Sequence, residues 1–258
     1  MNEENSKAFA YAERLLSVAI DVVGAAQVQI DGNWARDPKI IGLTLLCRSI
    51  SNFRAALILV RENNVLEARI LNRCLYENEL WIAALRERGV EFIEEMRSDE
   101  AHARRSLAQL TLEISGRHGA DVDNEGGMVL RGILNDLSKH FPKPKKLRAD
   151  KTAKATVIEL AYVEYARLSL DAIHCSMTAL NRHITRERAS PERTDVTINV
   201  EARISETERL ATILHLCRAL TGVAITANEL LGFTKVSERL VAMVDEFERN
   251  GWVKTDAL

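Results

Sequence analysis

The chain has 258 residues and a formal net charge of −2. A nearly neutral chain has no overall field that would attract nucleic acid or an anionic membrane, so binding of that kind would need a local patch. The length is close to the upper limit for one hydrophobic core, and we expect a single domain over residues 1–258. Apolar residues make up 47%, with only four prolines and twelve glycines. This composition predicts an all-α fold, an antiparallel multi-helix bundle.

Cysteine spacing and the N-terminal sequence indicate a cytoplasmic protein. The four cysteines are scattered without paired spacing, as expected for reduced core thiols: Cys47, Cys74, Cys175 and Cys217. The N-terminus lacks a basic segment followed by an apolar run. The apolar stretch 40–60 is interrupted by Arg48 and Arg54, so we expect no membrane span.

Local signals place four helices in the first half of the chain. Asp37 followed by Pro38 predicts a helix start, and Asn64 with Glu67 matches a capping box. Gly89 is a natural helix end. The expected helices cover about 6–29, 38–62, 65–88 and 91–115. The second and third should pack antiparallel, and the charge-dense fourth should be largely solvated.

The second half predicts further helices, one irregular connection and one extended piece. A loop is expected over 116–127, and the basic stretch 139–154 should be irregular because it contains two prolines. Alternation of apolar and polar residues predicts a short extended arm near 194–200. Ser205 with Glu208 forms another capping-box pattern. The expected helices cover about 128–137, 156–186, 205–231 and 234–251.

The third helix carries an ion pair within an apolar stripe. Arg73 and Glu77 are one helical turn apart on the same side as Leu66, Ile70 and Trp81. A paired arginine and glutamate tolerate burial better than either charge alone. The pair is either a salt bridge that fixes helix register or a support for a functional site.

The long helix carries a second polar stripe, formed by Arg167, Asp171, His174 and Thr178. Arg167 and His174 are seven residues apart, which is about two turns, so their side chains can face one space. An imidazole that exchanges a proton and a guanidinium that holds a phosphate suit phosphodiester chemistry. The alternative is an amphipathic helix whose polar face happens to contain a histidine.

No metal or cofactor is predicted. His174 beside Cys175, and His215 two places before Cys217, suggest zinc ligands. Neighbouring helical positions diverge by about 100°, and residues two apart point to nearly opposite sides, so neither pair can hold one ion. The sequence has no glycine-rich phosphate loop, nucleophile elbow or dinucleotide fingerprint. The basic stretch 139–154 could bind a phosphate backbone, although such stretches are more often solvated loops.

Two segments resemble a bacterial all-helical family of unknown function. The first contains Arg73-Cys74-Leu75-Tyr76-Glu77, preceded by Glu67-Ala68-Arg69 and by a run from Ala55 to Asn63, and the second contains Tyr165, Ser169 and His174. That family combines a helix hairpin and an Arg-x-Leu-aromatic-Glu motif with a later helix bearing tyrosine, serine and histidine. The resemblance implies that Tyr165 and Ser169 belong to the same site as His174.

The spacing from Arg167 to His174 also resembles the HEPN superfamily, which includes metal-independent ribonucleases of toxin and phage-defence systems. There a polar residue follows the arginine, whereas Leu168 does so here. The resemblance implies catalysis by His174 with Arg167 and Asp171, support from Arg73 and Glu77, RNA as substrate, a homodimer and a possible antitoxin partner. The rival hypothesis is a non-catalytic bundle that binds a protein through the fourth helix or the extended arm, or a small ligand. An enzyme acting on a small molecule would need a nucleophile or cofactor signature that the sequence lacks.

Overall fold

A computed structural model describes residues 2–29, 32–119, 124–173, 176–190 and 193–252. Within these ranges it has ten α-helices and one two-stranded antiparallel sheet, which confirms the predicted all-α class. The helices are α1 (Glu3–Ala25), α2 (Pro38–Arg61), α3 (Val65–Arg88), α4 (Val90–Arg117), α5 (Glu125–His140), α6 (Ala149–Lys154), α7 (Ala161–Leu168), α8 (Met177–Asn181), α9 (Glu206–Leu230) and α10 (Ser237–Arg249). The strands are β1 (Ile184–Ser190) and β2 (Arg193–Ile198).

Two of the three predicted helix starts have the expected side-chain caps. The Asp37 carboxylate accepts hydrogen bonds from the backbone of the first turn of α2. Ser205 and Glu208 form a complete capping box at the start of α9. The capping box predicted at Asn64 is wrong, since its side chain makes no cap hydrogen bond. Gly89 ends α3 with φ of 54°, a value that favours glycine.

The core lies between α1, α2, α3, α9 and α10, and α9 contacts each of the other four. Its largest fully buried side chains include Leu15, Leu46, Phe53, Leu75, Ile213 and Leu220. Burying each such side chain stabilises the fold by about 1.5–3 kcal/mol. Helices α2 and α9 are also long and apolar enough to cross a membrane, by length and composition alone. Of the apolar window in each helix, 44% is buried in α2 and 67% in α9.

The remaining helices are peripheral. Helices α4 and α5 pack on each other, whereas α6 and α7 pack on α3. Helix α4 buries only Phe92, Ile93, Ala101 and Ala108, which agrees with the predicted solvation.

The long helix predicted over 156–186 is wrong. Helix α7 ends at Leu168 and is followed by a π-helical turn over Ser169–Ile173, the short α8 and then β1. The Ser169 hydroxyl donates to the Tyr165 carbonyl (2.8 Å), and side chains in this segment bind α3 and α9, so tertiary contacts replace the regular helix. The predicted extended arm exists, but it is one strand of a hairpin, β2 paired with β1.

Candidate functional site

One buried face of α3 carries polar side chains where a helix is normally apolar. Arg69 and Asn72 are three residues apart and Tyr76 follows four residues later, so the three share one side of the helix. Arg69 is 4% exposed, Tyr76 is 3% exposed and Asn72 is fully buried. Burial of polar groups costs free energy unless they find partners. This face therefore requires polar partners from other elements or from a ligand.

Buried Arg69 belongs to a charge cluster with Asp171, Arg182 and Glu208, which are half-buried. Its Nη1 binds Asp171, and its Nε donates to Thr212 Oγ1 (3.0 Å). Arg182 donates through Nη2 to Asp171 (3.0 Å) and through Nη1 to Glu208 (2.6 Å). Glu208 lies 3.8 Å from Arg69 Nη2. The charge cluster ties α3, the π-helical turn and α9 together at the point where β1 begins.

Burial and neighbouring charges shift the pKa values of Arg69, Glu208 and Arg182 in different directions. Burial lowers the pKa of Arg69, and the neighbouring Asp171 opposes that shift. Burial also penalises the charge on Glu208, but hydrogen bonds from the Ser205 backbone and from Arg182 outweigh it and lower the Glu208 pKa. For Arg182, burial is outweighed by its hydrogen bond to Glu208 and by Asp171, so its pKa is raised. The charge cluster is therefore a structural anchor whose main hydrogen bonds are already made.

Arg167 is held by a second set of contacts beside the charge cluster. Its Nη2 donates to Glu164 (2.6 Å) and to His215 Nε2 (3.1 Å). His215 Nδ1 lies 3.0 Å from the Tyr76 hydroxyl and 3.6 Å from Glu164. Burial, with Arg167 next, lowers the pKa of His215 to about 3. The imidazole is therefore neutral at neutral pH.

These contacts also fix the tautomer of His215. Arginine can only donate, so Nε2 must be the unprotonated nitrogen and Nδ1 must carry the hydrogen. The Nδ1 hydrogen then points to the Tyr76 oxygen, with Glu164 nearby. Both ring nitrogens are engaged, which leaves His215 without a free position for proton transfer. Its role here is to hold the Arg167 guanidinium in place.

A cleft of about 220 Å³ lies between α3, α7, α8 and α9. Its buried floor consists of Arg69, Asn72, Thr212 and His215. Its rim includes the exposed side chains of Leu170 and Thr178. The remaining lining residues are Arg167, Leu168, Asp171, Arg182 and Ala211. A cleft of this size has room for several waters or one small organic molecule.

Two lining side chains have unused hydrogen-bonding capacity. Neither Asn72 Nδ2 nor Asn72 Oδ1 has a partner among the described residues, and both atoms are buried. Arg167 Nε is likewise buried without a partner there. An unsatisfied buried group costs about 1–3 kcal/mol, so natural proteins rarely retain several together. These three atoms expose almost no surface to the cleft, so a bound molecule would reach them only if the lining side chains moved.

A second polar cluster, formed by Arg73, Glu77, Tyr165 and Ser169, joins the adjacent face of α3 to α7. Arg73 Nη1 lies 3.0 Å from Glu77, as the sequence spacing predicts. Arg73 Nε donates to Ser169 Oγ (3.2 Å), and Nη2 donates to the Tyr165 hydroxyl. The guanidinium also lies 4.3 Å from the Tyr165 ring centroid. This cluster does not line the cleft, but it fixes the helix that supplies Arg167.

The structure brings most of the predicted site residues to the α3–α7 junction. Arg167 and Asp171 line the cleft, whereas Arg73 and Glu77 contact α7 from α3. His174 lies outside the described residues, so its placement on the same side as Arg167 stays a prediction.

Sequence reasoning missed Arg69, Asn72, Arg182 and Glu208, and it considered His215 only as a metal ligand. A usable signal was present for α3. The buried apolar stripe of α3 contains Val65, Ala68, Leu75 and Leu80, and the polar Asn72 interrupts it.

Within the described residues, no group of three or more His, Cys, Asp and Glu side chains could hold a metal ion.

Comparison with protein families gives a match over more than half of the chain. A model of a family described as a family of unknown function (DUF5677) matches residues 39–191. That span runs from α2 to the hairpin and includes the cleft residues of α3, α7 and α8, while Thr212 and His215 on α9 lie beyond it. No curated protein matches, and no solved structure matches.

Proposed function

The chain belongs to DUF5677, a family of unknown function, and we propose that it is a helical ligand-binding module that takes a small polar molecule into the cleft. The observation that supports this proposal is the fully buried Asn72 amide, which has no partner among the described residues and lines a cleft of about 220 Å³. A ligand that hydrogen-bonds to this amide would recover the free energy that its desolvation costs.

The surroundings of Asn72 suit binding better than chemistry. Asp171 accepts from two guanidinium groups, and His215 is neutral with both nitrogens engaged. Neither is free to exchange a proton with a bound molecule. Leu168, Leu170 and Ala211 add apolar surface to the same cleft, as is usual in small-molecule sites. In this proposal the chain is cytoplasmic and acts through what it binds.

A blocking substitution tests the proposal without removing any buried contact. Thr178 is an exposed rim residue, so Thr178→Trp should fill the mouth of the cleft and leave the core intact. Thr111→Trp, on the exposed side of α4, is the matched control. We expect compounds from a library of small amides, heterocycles, carboxylates and phosphates to raise the melting temperature of the wild type and of Thr111→Trp, but not of Thr178→Trp. A library without any such compound would overturn the proposal.

A second candidate is a metal-independent ribonuclease of HEPN type. The observation that favours it is the π-helical turn over Ser169–Ile173, which lies between Arg167 and His174 in the chain, because π-helical turns are frequent at functional sites. In this reading His174 takes the proton from a ribose 2′-hydroxyl, whose oxygen bonds to phosphorus while the bond to the 5′-oxygen breaks. The 5′-oxygen is protonated as it leaves, a cyclic phosphate forms, and Arg167 binds the phosphate oxygens.

The two candidates differ in their dependence on His174. A ribonuclease should cleave RNA in the presence of EDTA, and His174→Ala should lose that activity while retaining the wild-type melting temperature. The homodimer belongs to this candidate, since two copies would place two sites together, and sedimentation of the purified chain tests it. Intact RNA after incubation with folded wild type would count against the ribonuclease and leave the ligand-binding proposal in place.

A further inference from the structure

A second pocket on the surface carries a concentration of positive charge. It lies between the end of α3, the first half of α4 and the segment 145–152, and it shares no lining residue with the cleft. The residues that line this basic pocket are Arg88, Glu95, Ser98, Lys145, Lys146, Leu147, Arg148, Lys151 and Thr152. We infer that the basic pocket binds the phosphodiester backbone of a nucleic acid without reading its bases. The inference is independent of the ligand proposed for the cleft.

The segment that supplies most of these cations is held in place on the fold. The Lys145 backbone N–H donates to Ser98 Oγ (2.9 Å), and the Leu147 backbone N–H donates to Asp99 Oδ1 (2.7 Å). The Leu147 side chain packs against the hydrophobic core, and Thr152 of α6 is buried. The lysine side chains therefore extend from a fixed backbone, which lowers the conformational entropy that binding costs.

The two arginines of the basic pocket are already paired, but its lysines are not. Arg148 donates twice to Asp150 (3.0 and 2.9 Å), and Arg88 Nη1 lies 2.5 Å from Glu95. Three exposed lysines have no ion-pair partner among the described residues, namely Lys145, Lys146 and Lys151. Three positive charges therefore stay unmatched in one pocket, and like charges held together repel unless an anion binds between them.

The positive charge continues beyond the basic pocket along the same segment. Residues 139–154 contain seven lysines and arginines and one acidic residue, which gives a net charge of +6 in a chain whose total is −2. Lys139, Lys143 and Lys154 are exposed as well. A single anionic group would contact only part of this surface, whereas a polyanion can contact the basic pocket and the flanking lysines together. Lysine binds phosphate as a point charge, and the release of counterions drives its binding to nucleic acid.

The basic pocket has no group that would read a base. None of the described residues that line it is aromatic. Phe141, the one aromatic residue of 139–154, is half-buried, and its ring centroid lies 5.8 Å from the Arg97 guanidinium. Proteins that hold single-stranded bases stack them on aromatic side chains. Binding through phosphates alone is expected to be independent of base sequence and steeply dependent on salt.

Fluorescence anisotropy of a short labelled oligo(dT) with the full chain tests the inference. DNA serves as the probe because a backbone contact needs no 2′-hydroxyl, so the outcome does not depend on whether the chain is a ribonuclease. The triple variant Lys145→Gln, Lys146→Gln, Lys151→Gln should bind at least about tenfold more weakly at about 0.1 M salt. The slope of log affinity against log salt should fall by about 2, since each lost contact to a single strand removes about 0.7. The three side chains are exposed, so the melting temperature should stay that of the wild type.

A second triple variant makes the same change in net charge elsewhere on the surface. Lys7→Gln, Lys39→Gln, Lys235→Gln alters three exposed lysines outside the basic segment. It should keep the affinity within about twofold and keep the salt slope, because charges more than about 10 Å apart are largely screened at about 0.1 M salt. Equal losses in the two triple variants would show an effect of net charge alone and would overturn the inference.

The remaining outcomes concern the class of ligand. Absence of oligo(dT) binding to the wild type at low salt would overturn the inference. A difference of more than about tenfold between oligo(dT) and oligo(dA) would overturn recognition through the backbone alone. Binding of inorganic tripolyphosphate or of phosphatidylglycerol vesicles without binding of either oligonucleotide would assign the basic pocket to a small phosphate compound or to a membrane, and would also overturn it.

Discussion

Replacement of Asn72 by leucine should stabilise the ligand-free protein, which is the reverse of the usual effect of changing a buried residue. The substitution removes two buried polar atoms that have no partner among the described residues, and each unsatisfied group costs about 1–3 kcal/mol. The larger leucine side chain can extend into the adjoining cleft of about 220 Å³. We expect the free energy of unfolding to rise by at least about 1 kcal/mol, which corresponds to about 2–4 °C in melting temperature.

The same substitution six residues later on α3 provides a matched control. Asn78 is also buried, but its Nδ2 donates to Ser49 Oγ (3.0 Å). Asn78→Leu should lower the free energy of unfolding by about 1–3 kcal/mol, since it breaks that hydrogen bond and adds volume to a packed site. Urea denaturation of both variants measures the difference. A comparable loss of stability in Asn72→Leu would refute the reasoning, because it would show that the Asn72 amide is satisfied.

Three further predictions concern the residues around the cleft and the core. His215 has a folded pKa of about 3 against an ordinary value of 6.5, so between these pH values the unfolded chain binds more protons than the folded chain. The free energy of unfolding therefore falls as the pH is lowered from 6.5 to 3, by at most about 1.4 kcal/mol per pH unit. Urea denaturation of His215→Gln from pH 7 to about 4 should show a smaller loss than wild type, and equal losses would contradict this. Asp171→Asn should cost about 3–5 kcal/mol by thermal denaturation, because the buried Arg69 guanidinium loses its hydrogen-bonded carboxylate, whereas Glu246→Gln in an exposed pair should cost under about 1 kcal/mol. Gly222→Ala should destabilise by about 1–3 kcal/mol because its Cβ would lie 2.1 Å from Glu79 Oε1 and 2.8 Å from Glu79 Cδ, so the Glu79 side chain would have to move. Gly132→Ala, with open space in α5, should be neutral or stabilising in the same assay.

The parts of the fold set by short-range chemistry could be predicted from the sequence. Asp37 with Pro38, and Ser205 with Glu208, determine helix starts through atoms within three residues, so the pattern and the structure agree. Asn64 shows the limit of this reasoning, since the right residue types at the right spacing form no cap there. The ion pair of Arg73 and Glu77 was also local, one turn apart on a helix.

The parts set by long-range contacts could not be predicted in the same way. The apolar pattern continues through 156–186, yet the helix becomes a π-helical turn where Asp171 binds Arg69, 102 residues away. Arg69 likewise meets Thr212 across 143 residues. A sequence shows that Asn72 is polar at an apolar position, but not whether another chain segment satisfies it. The charge cluster and the cleft therefore emerge only from the packing of α3 against α7 and α9.

The two oxygens of the Glu208 carboxylate accept hydrogen bonds from different parts of the chain. Oε2 accepts from the Ser205 backbone N–H (3.0 Å) and completes the cap of α9, whereas Oε1 accepts from Arg182 (2.6 Å) at the root of the hairpin. Fraying of the first turn of α9 would therefore weaken the hydrogen bond between Glu208 and Arg182, and loss of that hydrogen bond would in turn promote fraying. Amide hydrogen exchange in this turn is thus a reporter of whether the distant charged residues remain engaged.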